Sequence, residues 1–262
     1  SYATTLTVPD PYPTIQAAID AARDGDTILV SRRTGEAQSV YYERITINKQ
    51  LIIIGESRDT IIIDGNKAGT VVQIQAHYVQ FKGFTVRNGG LKYSGIRANS
   101  YSYLDISNNR VENSRYGIVL LNSLSHKIVS NIAFNNSITG ISLTDCLSSN
   151  VTDNNVSESA YGIELSTSNA TFVISNVVSN SSYGIYIESS HNNTVDGNNL
   201  LRNKVDGIFP FSSYDIIVKN NEIHDSAYAI QLYQSRTVTI LGNTATYNGY
   251  GIYLAYSGPS NT

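Results

Sequence analysis

Over its second two thirds the chain alternates apolar and polar residues in short runs, rich in Ile and Val and broken by Asn, Ser, Gly and Asp. A period of two in β-branched segments, punctuated by turn formers, predicts short strands and turns. The pattern then repeats. Gly95, Gly117, Gly140, Gly162, Gly184, Gly207, Ala229 and Gly251 stand 22 or 23 residues apart, and an isoleucine follows each, from Ile96 to Ile252. Leu120, Leu143, Leu165, Ile187, Leu232 and Leu254 lie two residues beyond those isoleucines, with Ala98 and Pro210 as exceptions. So strict and short a period predicts a solenoid in which each repeat is one coil stacked on the last. There is room in each coil for three strands of about three to five residues and three turns, and no helical period competes. The expected fold is all-β, a single-stranded parallel β-helix with three sheets and about 11 coils. Its inward Ile, Val and Leu stacks would be spaced about 4.8 Å apart, so the stretch from Gly95 to Gly251 would rise roughly 34 Å.

Fourteen residues after each glycine comes asparagine: Asn109, Asn131, Asn154, Asn176, Asn198, Asn221 and Asn243. Aliphatic residues precede this column by three (Ile106, Ile128, Val151, Val173, Val195, Val218, Ile240), and apolar residues follow it by two. A turn inside the wall leaves backbone groups unpaired. A stacked amide donates to one coil, accepts from the other and tolerates a left-handed turn. The column therefore reads as structural.

Residues 1–94 are less regular. Thr14 is a fitting N-cap for a helix over 14–23, whose Ile15, Ala18, Ile19 and Ala22 share a face, and Gly25 a fitting stop. We assign residues 1–26 to a cap over the first coil, since an open strand edge invites pairing with other chains. Strand-like runs follow at Thr27–Val30, Ile45–Ile47, Leu51–Ile54, Thr60–Ile63, Val71–Ile74 and Val79–Phe81, making residues 27–94 the irregular first coils and 95–262 the regular ones. The whole chain of 262 residues reads as one domain.

The run from Pro13 to Ala22, then Gly25-Asp26-Thr27-Ile28, Tyr42-Glu43, Ile52-Ile53-Ile54-Gly55-Glu56 and Ile62-Ile63-Asp64-Gly65, resembles the opening of secreted right-handed β-helix proteins. Pectinesterases, NosD-type periplasmic proteins and archaeal surface proteins open in this way. The later Tyr-Gly-Ile and Asn-Asn-x-Val elements resemble the NosD and CASH (carbohydrate-binding and sugar-hydrolase) repeats. The resemblance covers nearly the whole chain and implies a right-handed coil. For activity it leaves enzymes, binders and scaffolds open.

Net charge is −3 with no basic block, which argues against a nucleic-acid partner, and no apolar run is long enough to span a membrane. The first residue is Ser1, from which we expect a removed upstream segment such as a signal peptide, and hence a secreted, cell-surface or periplasmic location. Tyr253-Leu254 lies eight residues from the last residue. We expect further chain or another subunit to cover that end. Cys146 is the single cysteine. It has no disulfide partner, and no Cys/His spacing resembles a zinc site, so it reads as a buried filler. Sequons stand at Asn135, Asn150, Asn155, Asn169, Asn180 and Asn192, as many as chance provides in a chain this rich in Asn, Ser and Thr.

Outward columns are where function would sit. The residue after each isoleucine runs Arg97, Val119, Ser142, Glu164, Tyr186, Phe209, Gln231, Tyr253, and two positions further lie Glu188, Phe211 and Tyr233. Tyr186, Phe209, Phe211, Tyr233 and Tyr253 should thus share one exterior face, a candidate surface for a glycan or a protein partner. A second column, Tyr116, Tyr161, Tyr183, Tyr228 and Tyr250, interrupted by Thr139 and Asp206, reads as a stabilising ladder. For acid–base chemistry the best grouping is Arg202, His224 and Asp225, with Lys204 and Asp206 nearby. Arg202 and Asp225 fall in one column a coil apart, as a polysaccharide lyase or epimerase would need. No pair of acids is stacked as in a glycosidase.

The catalytic signatures of the resembled enzyme families are absent: Gln-Asp-Thr with Asp-Phe-x-x-Gly, Asn-Thr-Asp with Gly-His-Gly, Asp-Pro-His. So is the Gly-Gly-x-Gly-x-Asp calcium repeat; we expect no cofactor, with calcium left open as an ion for which the chain carries no motif. The expectation is a secreted or surface scaffold that presents one face to a glycan or surface protein. The alternative is a lyase, epimerase or hydrolase acting on an acidic polysaccharide. A third reading, a NosD-like periplasmic maturation factor, rests on the repeat alone, because the chain lacks a Met/Cys/His-rich copper signature.

Overall fold

The computed structural model describes residues 3–258 and 260–262. Strands succeed one another with parallel partners throughout, each pairing with the equivalent strand one coil on. One sheet has 11 strands in chain order, from Thr5–Val8 to Arg236–Leu241. The remaining strands form two further walls, in which Asn155–Ser157 pairs with Val177–Ser179 and Tyr161–Ser166 with Tyr183–Glu188. The register keeps each column in line: Val151 faces Val173, then Val195 and Val218. All four side chains are fully buried, as are Ile163, Ile185 and Ile208 on another wall. Each such side chain contributes about 1.5–3 kcal/mol of burial.

The polar columns hold the corners. Asn176 Nδ2 donates to the Val151 carbonyl at 2.9 Å and to Asn198 Oδ1 at 3.0 Å, while its Oδ1 accepts from the Asn154 backbone N–H at 2.9 Å. The same bonds recur from Asn109 to Asn243. Two further ladders escaped the sequence reading. In one, the backbone N–H of Cys146, Ser168, Ser190, Ser213 and Ser235 each donates to the hydroxyl of the serine one coil on. In the other, the backbone N–H groups of Ser114, Ser181 and Ser226 donate to the amide oxygens of Asn136, Asn203 and Asn248 one coil on. A third set of positions turns the outer corner with left-handed backbone: Asn113, Asn135, Glu158, Asn180, Arg202 and Asp225, all with φ between 52° and 58°.

The repeating glycine stands where a neighbouring side chain and the next coil's backbone leave no room for a Cβ. A Cβ on Gly162 would lie 2.3 Å from Val178 Cγ1 and 2.6 Å from the Gly184 carbonyl oxygen.

At the start of the chain the helix is shorter than its period implied, Ile15–Ala21, with Thr14 Oγ1 accepting from Ala17 N at 3.1 Å as the N-cap. The Glu43 carboxylate accepts from the backbone N–H groups of Ile15 and Gln16, both at 3.0 Å. Lys49 Nζ donates to the carbonyls of Ile19, Asp20 and Ala22 at 2.8–2.9 Å. An anion and a cation thus sit at the favourable ends of the helix dipole. Residues 1–26 are more than a cap, because Thr5–Val8 pairs with Thr27–Val30 and is the first strand of the 11-stranded sheet. A strand at Ser39–Tyr41 also went unpredicted. Among the described residues no coil stacks on the far side of Tyr250–Ala255, and Ile252 and Leu254 are each 56% exposed.

Candidate functional site

The register places the expected aromatic residues on one outer wall. Glu164, Tyr186 and Phe209 face one another in successive coils, as do Glu188, Phe211 and Tyr233. The tyrosine ladder lies on the same wall in the adjoining column, where Tyr161 faces Tyr183, then Asp206 and Tyr228. Ladder and candidate surface are therefore one structure. Tyr161 and Tyr183 stack at 5.1 Å and 11°, and Tyr186 leans across both at 45° and 51°. Phe209 continues the series at 5.5 Å from Tyr186, followed by Phe211 at 6.0 Å and Tyr233 at 5.5 Å. Tyr228, Tyr250 and Tyr253 form a second cluster with centroids 5.0–5.9 Å apart. Each ring of the series thus packs against its neighbours, and Tyr186 touches Tyr161, Tyr183 and Phe209. Burial raises the Tyr186 and Tyr161 hydroxyls above the ordinary phenol value.

Asp206 separates the two clusters and is the residue whose importance the sequence hid. It looked like an interruption in a tyrosine column. Its side chain is buried among the rings of that wall, and burial pushes the carboxyl up to about 7. With the Gln231 amide nitrogen turned inward, that amide donates to both Asp206 oxygens, at 2.8 and 3.2 Å, which favours the ionised form and works against the effect of burial.

Arg202 and Asp225 sit on the outer corner and His224 ends the strand Glu222–His224 beside it, none of them on this wall. Arg202 and Asp225 occupy the left-handed turn column and are exposed, as is Lys204. The ion pairs of the described residues are Arg32–Glu56, Arg33–Glu36, Arg87–Asp64, Arg110–Glu112 and Lys219–Asp196, and Arg202 and Asp225 belong to none of them. The Arg202 N–H donates to the His224 carbonyl at 3.0 Å, and His224 Nδ1 bonds to the Thr246 hydroxyl.

Residues 52–190 match the family described as the right handed beta helix region, which is more than half of the chain. The chain belongs to the right-handed β-helix family. Residues 146–262 of this β-helix also match a family described as periplasmic copper-binding protein (NosD). No curated protein sequence matches it. Among solved structures, the A-module of mannuronan C-5 epimerase AlgE6 from Azotobacter vinelandii superposes with a TM-score of 0.70 at 16% identity, over 87% of this chain and 70% of that one. The enzymatically active domain of tailspike protein 2 from bacteriophage CBA120 gives 0.69 at 13%, over 92% and 43%. Pectate lyase Pel9A gives 0.62 at 12%, over 96% and 79%. At these identities the likeness is one of fold.

The NosD description raises the question of copper, and the donor set of this β-helix does not fit it. Methionine is absent from the chain, and among the described residues no three His, Cys, Asp or Glu gather as a metal site. Cys146 is buried with its thiol raised by desolvation, and its Sγ donates to the Leu120 carbonyl at 3.3 Å. His126, also buried and pushed down to about 4, bonds Ser123 Oγ through Nε2 at 2.8 Å. His191 stacks on Tyr214 at 4.7 Å. The histidines and the cysteine are parts of the wall. Of the sequon asparagines, Asn135, Asn150, Asn155, Asn180 and Asn192 are exposed, whereas Asn169 is half-buried and accepts from the His191 N–H at 2.8 Å. No described helix is long and apolar enough to cross a membrane.

Proposed function

We propose that this β-helix is an extracytoplasmic, non-catalytic scaffold whose aromatic wall binds a glycan through Tyr186, Phe209, Phe211, Tyr233 and Tyr253. The observation that carries the reading is the unbroken run of rings from Tyr161 to Tyr233 on one outer wall. Rings held by their neighbours lose little further freedom on binding, and their phenol edges supply hydroxyls beside an apolar surface. The NosD match and the fold shared with polysaccharide-active proteins are in keeping with a life outside the cytoplasm and with a glycan ligand. The test is affinity capture on a panel of neutral and acidic polysaccharides with wild type and the Tyr186→Ser/Phe209→Ser double variant, with oligomeric state measured in parallel. Capture that the double variant loses supports the reading. A change in oligomeric state alone makes the wall a protein interface.

A second reading, a polysaccharide lyase, epimerase or hydrolase, draws on Asp206. A carboxyl raised to about 7 is matched to proton transfer near neutrality. Arg202, His224 and Asp225 are its other candidates. Mass spectrometry of the same panel for shortened or epimerised products decides it. Products abolished by Asp206→Asn, or by Arg202→Ala with Asp225→Ala, would replace the scaffold with an enzyme.

A further inference from the structure

A second, differently built group of rings lies at the turns that lead into Gln80–Lys82, Asp105–Ser107 and Lys127–Val129, three neighbouring strands of the 11-stranded sheet. Tyr78, Tyr103 and Ser125 occupy one turn column in three successive coils, with φ of 58°, 61° and 58°. The Tyr78 and Tyr103 rings are parallel to within 3° with centroids 4.7 Å apart, and they are 53% and 45% exposed. The ladder then stops, because Ser125 has no ring. Tyr103 stacks on Tyr78 alone, and a groove of about 470 Å³ runs past both rings, lined also by Gln50, Gln80, Asp105, Ser125 and Lys127. This is the geometry that the late aromatic wall lacks, where neighbouring rings cover most faces.

The floor of the groove has matching chemistry. Gln80, Asp105 and Lys127 face one another in register, one per coil, at a spacing of about 4.8 Å. Neither Asp105 nor Lys127 belongs to an ion pair among the described residues. A carboxylate accepts and an ammonium donates, and neighbouring hydroxyls of a sugar ring do both, so the pair can take one hydroxyl each. The C–H face of a pyranose would lie on Tyr103. With one charge of each sign in the groove, nothing there favours a polyanion.

We propose that the groove between Tyr103 and Ser125 is a second glycan subsite, which takes an uncharged pyranose over the Tyr103 ring with Asp105 and Lys127 on its hydroxyls. It shares with the aromatic-wall reading only the class of ligand, and the two can fail separately. The experiment is titration calorimetry of the full chain with hexasaccharides of glucose, mannose and galactose, and with a hexauronate. Tyr103→Ala removes the platform. Ser125→Tyr fills the slot with a third ring, in a column where Tyr78 and Tyr103 already adopt the required backbone, and so keeps the fold.

Both changes should weaken binding of a neutral hexasaccharide at least tenfold, with the Ser125→Tyr melting temperature unchanged. The Tyr186→Ser/Phe209→Ser variant should retain that binding component. Neutral binding untouched by both changes, or a hexauronate preferred at this groove, overturns the proposal. Binding lost only in the Tyr186→Ser/Phe209→Ser variant removes this subsite and leaves the aromatic wall standing. If no neutral hexasaccharide binds at all, this subsite falls, whatever acidic polymers do at the wall.

Discussion

Replacing Asn176 with alanine should be among the most damaging single changes in the regular coils, and its cost follows from the bonds it makes. The side chain donates to the Val151 carbonyl and to Asn198 Oδ1, and accepts from both the backbone and side-chain nitrogens of Asn154, all within 2.9–3.0 Å and all buried. Some partners keep other bonds. Asn154 Nδ2 still reaches the Ile128 carbonyl at 2.8 Å, and Asn198 Oδ1 still accepts from the Asn176 N–H at 2.8 Å. The Asn154 backbone N–H loses its acceptor in a place water does not reach. Four bonds at about 0.5–1.5 kcal/mol net give about 2–6 kcal/mol, and the orphaned buried donor puts the loss in the upper half of that range. Asn243, in the last coil, makes three equivalent bonds but is only part-buried, so water replaces much of what Asn243→Ala removes, for about 1 kcal/mol. Urea unfolding followed by circular dichroism compares the two. Equal losses, or a loss below about 1 kcal/mol for Asn176→Ala, would refute the claim that the ladder is a buried structural device.

Gly162→Ala should cost about 1–3 kcal/mol through overpacking against Val178 and the Gly184 carbonyl, whereas Gly251→Ala, with nothing within 4 Å, should be neutral in the same assay. Asp206 is raised in the folded state, so its neutral form favours folding. Stability should fall as pH rises from about 4, where the unfolded carboxyl ionises, to about 7, and then level off; Asp206→Asn should remove that slope from melting curves taken across the range. His126 has the opposite sign, since a histidine buried neutral loses stability as pH falls from its unfolded value near 6.5 towards about 4, and His126→Gln should flatten the acid limb. The Cys146 thiol, buried and raised, should react with a thiol reagent only at the rate of unfolding, and fast labelling under native conditions would contradict its place in the serine ladder.

The regular coils were legible because one residue type per column has one physical job. Valine and isoleucine columns fill the interior, asparagines bridge coils, and glycines stand where the next coil's backbone approaches. The Cys146–Ser257 ladder was missed because serine also crowds the turns, and only the register shows which hydroxyls point inward. The early coils were harder to read because their repeats vary in length, which hid Ser39–Tyr41 and the strand at Thr5–Val8. Column arithmetic put Tyr186, Phe209, Phe211 and Tyr233 on one wall. It could not show that Tyr161 and Tyr183 join them, or that Asp206 is buried while Asp225 is exposed, since spacing in the sequence does not reveal whether a side chain lies flat against its neighbours or points to water. Arg202 and Asp225 share a column as expected, but that column is a left-handed turn, which holds their side chains outside the wall.

Saturation-transfer NMR from the tyrosine and phenylalanine ring protons to whichever glycan the panel captures most strongly is the most direct test of the central claim. Saturation should pass to the sugar protons in wild type and fall at least several-fold in Tyr186→Ser/Phe209→Ser, with the glycan unchanged in mass over the course of the measurement. Transfer that persists undiminished in the double variant, or a glycan that is shortened or epimerised in the tube, would contradict a non-catalytic aromatic wall as the binding surface.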